Sequence, residues 1–312
     1  MPDPVHVVNG DSVEHALARS GLPGAVIVWR DVLHEGDVPP GVPATVREAR
    51  AAFLAGAGYG NRERILAGLA EADEALIAAL DDGRETVLWF EHDLHDQLQL
   101  SQILSRIAGH PGRAAVRLIT LDSFPGRPGF AGLGELSPEE LVTLWPLRAP
   151  LGPGAYILGA RAYAALQESD GDALAALAEE RSADVPYLGA ALRRLLEERP
   201  WAGPGLGRSE RQIVRAVAAG ARTPADVFLA TMCMEEAPYS GDSWTFKRID
   251  DLASGDRPLL VSTACGLALT PAGQAALSRW RDPGPPGCAG RQAPERDSLR
   301  MLRSRRRRRT GP

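Results

Sequence analysis

The stretch VLWFEHDLHDQLQL, Val87–Leu100, holds the transition that decides the fold of this chain. Its first residues suit a buried strand, because they form a continuous run of β-branched, large aliphatic and aromatic side chains. Acids and histidines follow at once: Glu91, His92, Asp93, His95 and Asp96. From about Leu94 to Ile107 the spacing of apolar residues predicts a helix. A strand that leads through a polar turn into a helix is typical of α/β proteins.

The same alternation extends through the first third of the chain. Strands are predicted at Val5–Val8, Ala25–Arg30, Glu85–Phe90 and Ala114–Thr120. A helix capped by Asp11 or Ser12 and continuing to about Arg19 separates the first two, and two longer helices precede Glu85. Strands that alternate with helices indicate an α/β ligand-binding domain over residues 1–135, with an open, mostly parallel sheet.

The rest of the chain divides into three further segments. A helical extension is predicted for 136–200, beginning with the capped sequence Ser137-Pro138-Glu139-Glu140 and continuing at Ala160–Gln167, Asp172–Glu180 and Leu188–Glu198. The Gly132–Leu136 sequence GLGEL before it is interpreted as structural. After a Pro- and Gly-rich linker at 200–207, the order helix, helix, helix, β-hairpin, helix over 207–281 is that of a winged-helix module. A disordered basic tail is predicted for 282–312.

Composition excludes several classes of protein. The hydrophobic content of 44% and the charged content of 24% are ordinary for a soluble globular chain, and an aromatic content of 5% argues against a stacking platform for single-stranded nucleic acid. Three cysteines without metal-type spacing, no signal-peptide pattern and no apolar run long enough for a membrane span predict a cytoplasmic protein that does not bind a membrane.

Net charge is unevenly distributed along the sequence. The segment from Arg281 onward carries +7, which leaves −12 on the rest of a chain whose net charge is −5. An acidic body does not attract nucleic-acid phosphates unaided. The arginine-rich tail has the opposite charge, and we interpret it as a solvated segment without a fixed partner.

Polar residues follow all four predicted strands, at the sheet edge where open α/β sheets bind ligands. The candidate catalytic residues are Glu91, His92, Asp93, Asp96, Asp31 and His34. The candidate ligand-binding residues are Asn9, Gly10, Asp11, Ser12 and Gln97. Several strand ends that supply polar residues to one edge are a stronger signal than any single motif among them.

Glu91, Asp93 and Asp96 form a candidate site for a divalent metal. Asp93, Asp96 and Gln97 share one helix face at spacings of three and four, and crowded carboxylates either bind a cation or separate into an acid and a base. The alternative is structural: Asp93 is a good helix cap, and Asp96 suits the positive end of the helix dipole. Capping does not account for Glu91 or for the two histidines.

The NGDS sequence after the first strand favours an anion site. Gly10 lets the backbone approach a ligand, and the following helix N-terminus presents free N–H groups to a phosphate or a carboxylate. An alternative is a serine hydrolase with Ser12 as the nucleophile and Asp31-x-x-His34 as its partners. That enzyme class carries its Asp-x-x-His near the end of the domain, not some twenty residues after the serine.

The winged-helix segment has two interpretations of its own. Lys247 and Arg248 on its third helix are candidate DNA-binding residues. Acidic neighbours and the acidic body favour a protein partner instead, since winged helices also serve as interaction modules.

Four motifs resemble those of the bacterial domain-of-unknown-function family 1835: HVVNGDS, VWRDVLHEG, LWFEHDLHDQLQL and GLGELSPEEL. The resemblance covers Val5–Leu144 and extends more loosely to about Trp280. Where the family pattern commonly has tyrosine, this chain has His95. The resemblance implies a bacterial protein and indicates no activity.

Three functional hypotheses follow. The first is a hydrolase or transferase with a metal-assisted site that binds a nucleotide-like or other anionic small molecule. The second is a regulator that senses a ligand and binds DNA or a protein through the winged helix. The third is a structural adaptor in which the polar residues at the strand ends only cap helices and connect loops.

Overall fold

A computed structural model of the chain describes residues 2–198 and 205–279. The predicted basic tail at 282–312 lies outside these residues, as does most of the predicted linker at 200–207. One compact unit comprises the described residues of 1–124, 130–211 and 237–241. A second comprises the described residues of 125–129, 212–236 and 242–312.

The elements agree with an α/β fold. The strands are β1 (Val5–Val8), β2 (Ala25–Val28), β3 (Thr86–Trp89), β4 (Val116–Ile119), β5 (Ala149–Pro150), β6 (Leu260–Thr263) and β7 (Gly266–Leu269). The helices are α1 (Asp11–Ser20), α2 (Pro43–Gly56), α3 (Arg62–Asp81), α4 (Leu94–Ile107), α5 (Pro138–Leu144), α6 (Pro153–Gln167), α7 (Gly171–Ala178), α8 (Leu188–Glu198), α9 (Arg208–Ala218), α10 (Pro224–Cys233), α11 (Asp242–Leu252) and α12 (Pro271–Arg279).

The first unit is built on a five-stranded sheet in the order β2-β1-β3-β4-β5. The four strands predicted from the sequence are parallel, and only β5 is antiparallel. That strand was not predicted, because it has two residues, one of them proline, and lies at the sheet edge where a missing N–H is tolerated. The mostly parallel sheet is therefore confirmed.

Helices cover both faces of this sheet. On one face, Val8, Val87 and Trp89 pack with Leu17 of α1 and Leu141 of α5. On the other face, the alternate strand residues pack with α3, α4, α6, α7 and α8. This two-sided burial explains why the strand sequences are continuously apolar. The helices of the predicted 136–200 extension belong to the same core as the sheet.

The described part of the second unit has the predicted order of elements. Thr223 caps α10 in a capping box with Asp226. β6 and β7 form an antiparallel hairpin that turns at residues 264–265. At the start of β7, the φ of 101° at Gly266 and its close approach to the Arg222 carbonyl require glycine. The winged-helix assignment itself stays a prediction. In 2–198 and 205–279, no helix combines the length and the apolar character needed to cross a membrane.

Candidate functional site

The strand order places a crevice between the ends of β1 and β3. The chain leaves β1 and forms β2 on one side of it, whereas β3 lies on the other side. Such a change of direction is where open α/β sheets bind ligands. Val8, the last residue of β1, is in register with Trp89, the last residue of β3. Asn9 and Glu91, which follow the two strands, therefore lie at the same edge of the sheet.

Three carboxylates converge at this crevice. One ligand oxygen from each of Glu91, Asp93 and Asp96 lies within 4.8 Å of the others, and all three side chains are buried. We call these residues the acid cluster. The side-chain oxygen of Asp93 also accepts a hydrogen bond from the Asp96 backbone N–H at 2.9 Å, so the predicted capping role is real and coexists with the cluster.

Asp96 connects three segments of the site. Its Oδ1 accepts a hydrogen bond from the Asn9 amide at 2.6 Å, and its Oδ2 accepts one from the Glu91 backbone N–H at 2.7 Å. Asp96 thereby holds the first turn of α4 to the loops that follow β1 and β3. Asn9, predicted as a ligand-binding residue, therefore contacts the acid cluster directly.

The GLGEL segment closes over the cluster. The Leu133 N–H donates a hydrogen bond to Oε2 of Glu91. A Cβ on Gly132 would come within 2.2 Å of Oε1 of the same carboxylate, so the close approach requires glycine. The interpretation of this segment as merely structural was too narrow. The Gly-x-Gly pattern is the signal that could have shown it.

The electrostatics of the cluster are dominated by burial and by like charges. Burial, together with the neighbouring Asp96 and Asp93 carboxylates, holds the pKa of Glu91 well above its usual range. Burial and Asp96 do the same to the pKa of Asp93. Burial raises the pKa of Asp96 to about 7. The cluster therefore retains protons near neutral pH unless a cation compensates its charge.

One further oxygen at the site is available as a ligand. Gln97 donates its amide N–H to the Glu91 carbonyl at 2.6 Å, but its buried Oε1 has no hydrogen-bond partner among the described residues. Buried oxygens are rarely left without a donor, and a bound ion or water is a common explanation.

The structure places Asp31 and His34 in a separate group. The fully buried Arg50 donates from Nε to Asp31 at 2.9 Å and from its other nitrogens to the carbonyls of Val32, Glu35 and Asp37. Among the described residues, no hydrogen bond or ion pair joins Asp31 or His34 to the acid cluster. The structure therefore brings Glu91, Asp93 and Asp96 together and places Asp31 and His34 apart from them.

His34, three residues after Asp31, lies among aromatic rings. Its ring meets those of His95 and Tyr239 edge to face, with centroids 5.4 and 5.0 Å away, and its Nε2 is 4.0 Å from Glu35. Burial lowers the pKa of His95 to about 4, so this ring is neutral at physiological pH. His92 instead meets Tyr187 edge to face. Neither histidine of the EHDLHD segment joins the three carboxylates.

The structure lacks the side-chain contacts that a serine hydrolase requires. Asp31 is paired with Arg50 and not with His34, and the exposed Ser12 hydroxyl has no hydrogen-bond partner among the described residues. A catalytic triad needs the acid to orient the histidine and the histidine to reach the serine.

The α1 terminus differs from its prediction. Gly10 occupies the cap position without a side-chain hydrogen bond, so the expected cap by Asp11 or Ser12 is wrong. The exposed Asp11 forms an ion pair with Arg30 at 2.6 Å instead. The N–H groups of the first turn consequently receive no side-chain cap, so the anion contact at Gly10–Ser12 stays a prediction.

The candidate DNA-binding residues lie on α11 and are paired within that helix. Lys247 contacts Asp251 at 3.1 Å, and Arg248 contacts the same carboxylate at 3.7 Å. Arg248 also lies over the Trp244 ring. These pairs reduce the positive charge that α11 presents, so DNA binding stays a prediction.

Comparison of the chain with protein-family models, curated proteins and solved structures gives no match. The chemistry of the candidate site is therefore inferred from its geometry alone.

Proposed function

We propose that the acid cluster binds a divalent cation and that the chain acts as a metal-assisted hydrolase or transferase on a nucleotide-like or other anionic small molecule. The observation that carries the proposal is the set of three buried carboxylates within 4.8 Å of one another at the β1–β3 crevice. No arginine or lysine contributes to the pKa of any of the three. A cation would relieve their mutual repulsion.

The substrate class follows from the neighbouring groups. Oxygen-rich sites suit Mg²⁺ or Mn²⁺, and Mg²⁺ is commonly held by one or two carboxylates together with phosphate oxygens of the substrate. The first turn of α1, at Gly10–Ser12, follows Asn9, whose side chain contacts the cluster. An anionic group at that turn would lie next to the cation. The metal would polarise it for attack by water or by an acceptor.

The first test is metal binding by the full chain after chelation, measured by calorimetry with Mg²⁺ and Mn²⁺ at pH 8. We expect one ion per chain for the wild type and a loss of affinity of about tenfold or more in Glu91→Gln and Asp93→Asn. Asp122→Asn is the matched control, since Asp122 is an exposed carboxylate that follows β4 and is not part of the cluster.

Absence of saturable binding by the wild type, or equal affinity in all variants, would refute the metal site. If the ion binds, nucleotides are added to the loaded protein, and release of phosphate is followed. The pH matters because bound protons compete with the metal, so affinity should rise from pH 6 to pH 8.

The remaining expectations are proposals of the same kind. Membership of family 1835 is supported by the motifs quoted above, two of which supply the acid cluster and the turn that covers it. Cytoplasmic location is supported by the cysteine usage. A DNA or protein partner for the second unit is supported only by its order of elements.

A further inference from the structure

A pocket separate from the acid cluster lies between the end of β2 and the helices α2, α3, α4 and α6. Its volume is about 250 Å³, and it shares no lining residue with the cluster. Trp29, Val46 and Leu69 contribute apolar walls, whereas Arg47 and Arg106 contribute charge. Pockets for drug-sized ligands occupy roughly 300–1,000 Å³, so this one suits a molecule smaller than a nucleotide.

The pocket carries an excess of one positive charge. Two guanidinium groups share the single carboxylate of Asp73: Arg47 at 2.7 Å and Arg106 at 2.6 Å. The other acid in the lining, Asp31, is compensated by the buried Arg50. The third lining arginine, Arg30, is compensated by Asp11.

Arg47 has N–H donors that make no hydrogen bond within the described part of the chain. Its Nη1 makes the contact with Asp73, and its Nε and Nη2 have no acceptor among the described residues. Arg106 binds both oxygens of Asp73 through Nε and Nη2, so the carboxylate is fixed in place from the other side. The free edge of a guanidinium group matches the two oxygens of a carboxylate, which it binds in a bidentate manner.

The polar groups around the aromatic wall are held in position. Gln102 accepts a hydrogen bond from the Trp29 indole at 2.6 Å and donates one to the Tyr163 hydroxyl at 3.2 Å. The Tyr163 oxygen is therefore already an acceptor, and its own proton has no acceptor in the described part of the chain. Burial raises the pKa of Tyr163 to about 12, so the hydroxyl stays a donor at all physiological pH values.

We propose that this pocket binds a small organic monocarboxylate, with its carboxylate on Arg47 and the Tyr163 hydroxyl and its apolar part against Trp29 and Leu69. One negative charge matches the excess of one positive charge. The apolar walls favour a short aliphatic or aromatic body over an inorganic anion. The proposal does not depend on the proposed metal site, because the two sites use different residues.

The test is calorimetric titration of the full chain with acetate, butyrate, benzoate and inorganic phosphate. We expect saturable binding of butyrate or benzoate, tighter than that of acetate. Arg47→Gln removes the bidentate donor but leaves Asp73 paired with Arg106, and should weaken binding by about tenfold or more. Tyr163→Phe removes one neutral hydrogen bond and should weaken binding by about three- to tenfold.

The matched control is Arg62→Gln. Arg62 of α3 forms an ion pair with Glu48 of α2, so this variant breaks an arginine–acid pair between the same two helices outside the pocket. It should bind the carboxylate like the wild type, as should Asp93→Asn. The proposal is overturned if no carboxylate binds with a Kd below about 10 mM, which corresponds to a binding free energy of roughly −3 kcal/mol. Binding of phosphate alone, or equal losses in Arg62→Gln and Arg47→Gln, would also overturn it.

Discussion

Two sets of buried carboxylates in the first unit differ in what surrounds them. Asp31 forms an ion pair with Arg50 at 2.9 Å. Asp73 forms ion pairs with Arg106 at 2.6 Å and with Arg47 at 2.7 Å. Glu91, Asp93 and Asp96 lie within 4.8 Å of one another and accept hydrogen bonds from backbone N–H groups and the Asn9 amide. The first set is compensated by the chain itself. The second has no cationic partner among the described residues and must keep protons or bind a cation.

This difference separates structure from function in residues of the same type. A paired carboxylate fixes loops and helices, and its removal leaves a buried charge without compensation. An uncompensated group of carboxylates lowers the stability of the folded state at neutral pH, a cost that proteins tolerate at binding sites. The comparison predicts that loss of a charge destabilises the protein at the first set, where it breaks a pair, and stabilises it at the second, where it relieves repulsion.

The largest expected effect is that of Arg50→Met. Methionine retains much of the apolar stem, but Asp31 loses its counter-ion and three loop carbonyls lose their donor. We expect the free energy of unfolding to fall by about 3–5 kcal/mol, measured by urea denaturation. Arg62→Gln, which breaks an exposed pair, should change it by less than about 1 kcal/mol. A similarly small loss in Arg50→Met would contradict the role given to this arginine.

The next effect is a dependence of stability on pH. The pKa of Asp96 is raised from 3.8 to about 7, so the folded protein binds a proton that the unfolded chain has already released in this range. The free energy of unfolding should therefore decrease as the pH rises from about 4 to about 7, by on the order of a few kcal/mol, when a chelator is present. Denaturant titrations at several pH values measure it. Saturating Mg²⁺ or Mn²⁺ should reduce the decrease, and a curve unchanged by metal would count against the cation.

The smallest effect is that of Asp93→Asn on stability. Asparagine caps a helix about as well as aspartate, so the change removes one charge from the cluster and preserves the α4 cap. Without metal we expect a gain of about 1 kcal/mol at pH 8 and little change at pH 5, where the cluster is protonated. Thermal unfolding at the two pH values makes the comparison. A loss of stability at pH 8 would show that Asp93 is needed as a charged residue even without a cation.

Much of the fold could be predicted because its signals are local. The apolar run before Glu91 and the helical spacing after Leu94 defined β3 and α4, and the α4 bounds agree at both ends. The start of α1 was less predictable, since Gly10 occupies the cap position that Asp11 and Ser12 also suit. The short β5 carries no periodicity of its own and forms only because β4 offers an edge.

The candidate site was predictable only in part. The sequence named Glu91, Asp93 and Asp96, and their proximity follows from their spacing on one turn and one helix. It could not show that Leu133, 42 residues away, donates to Glu91, or that Arg50 and not His34 is the partner of Asp31. These partners are decided by which loops the strand order brings together.

The sequence by itself determined the alternation of strands and helices, the polar strand ends and the crowding of acids after β3. The tertiary structure alone decided which of those acids are neutralised. The physical reason is that the energy of a buried charge depends on the partners within a few ångströms of it. Here some of those partners are far apart in sequence: Asn9 and Asp96 are separated by 87 residues and lie 2.6 Å apart in the fold.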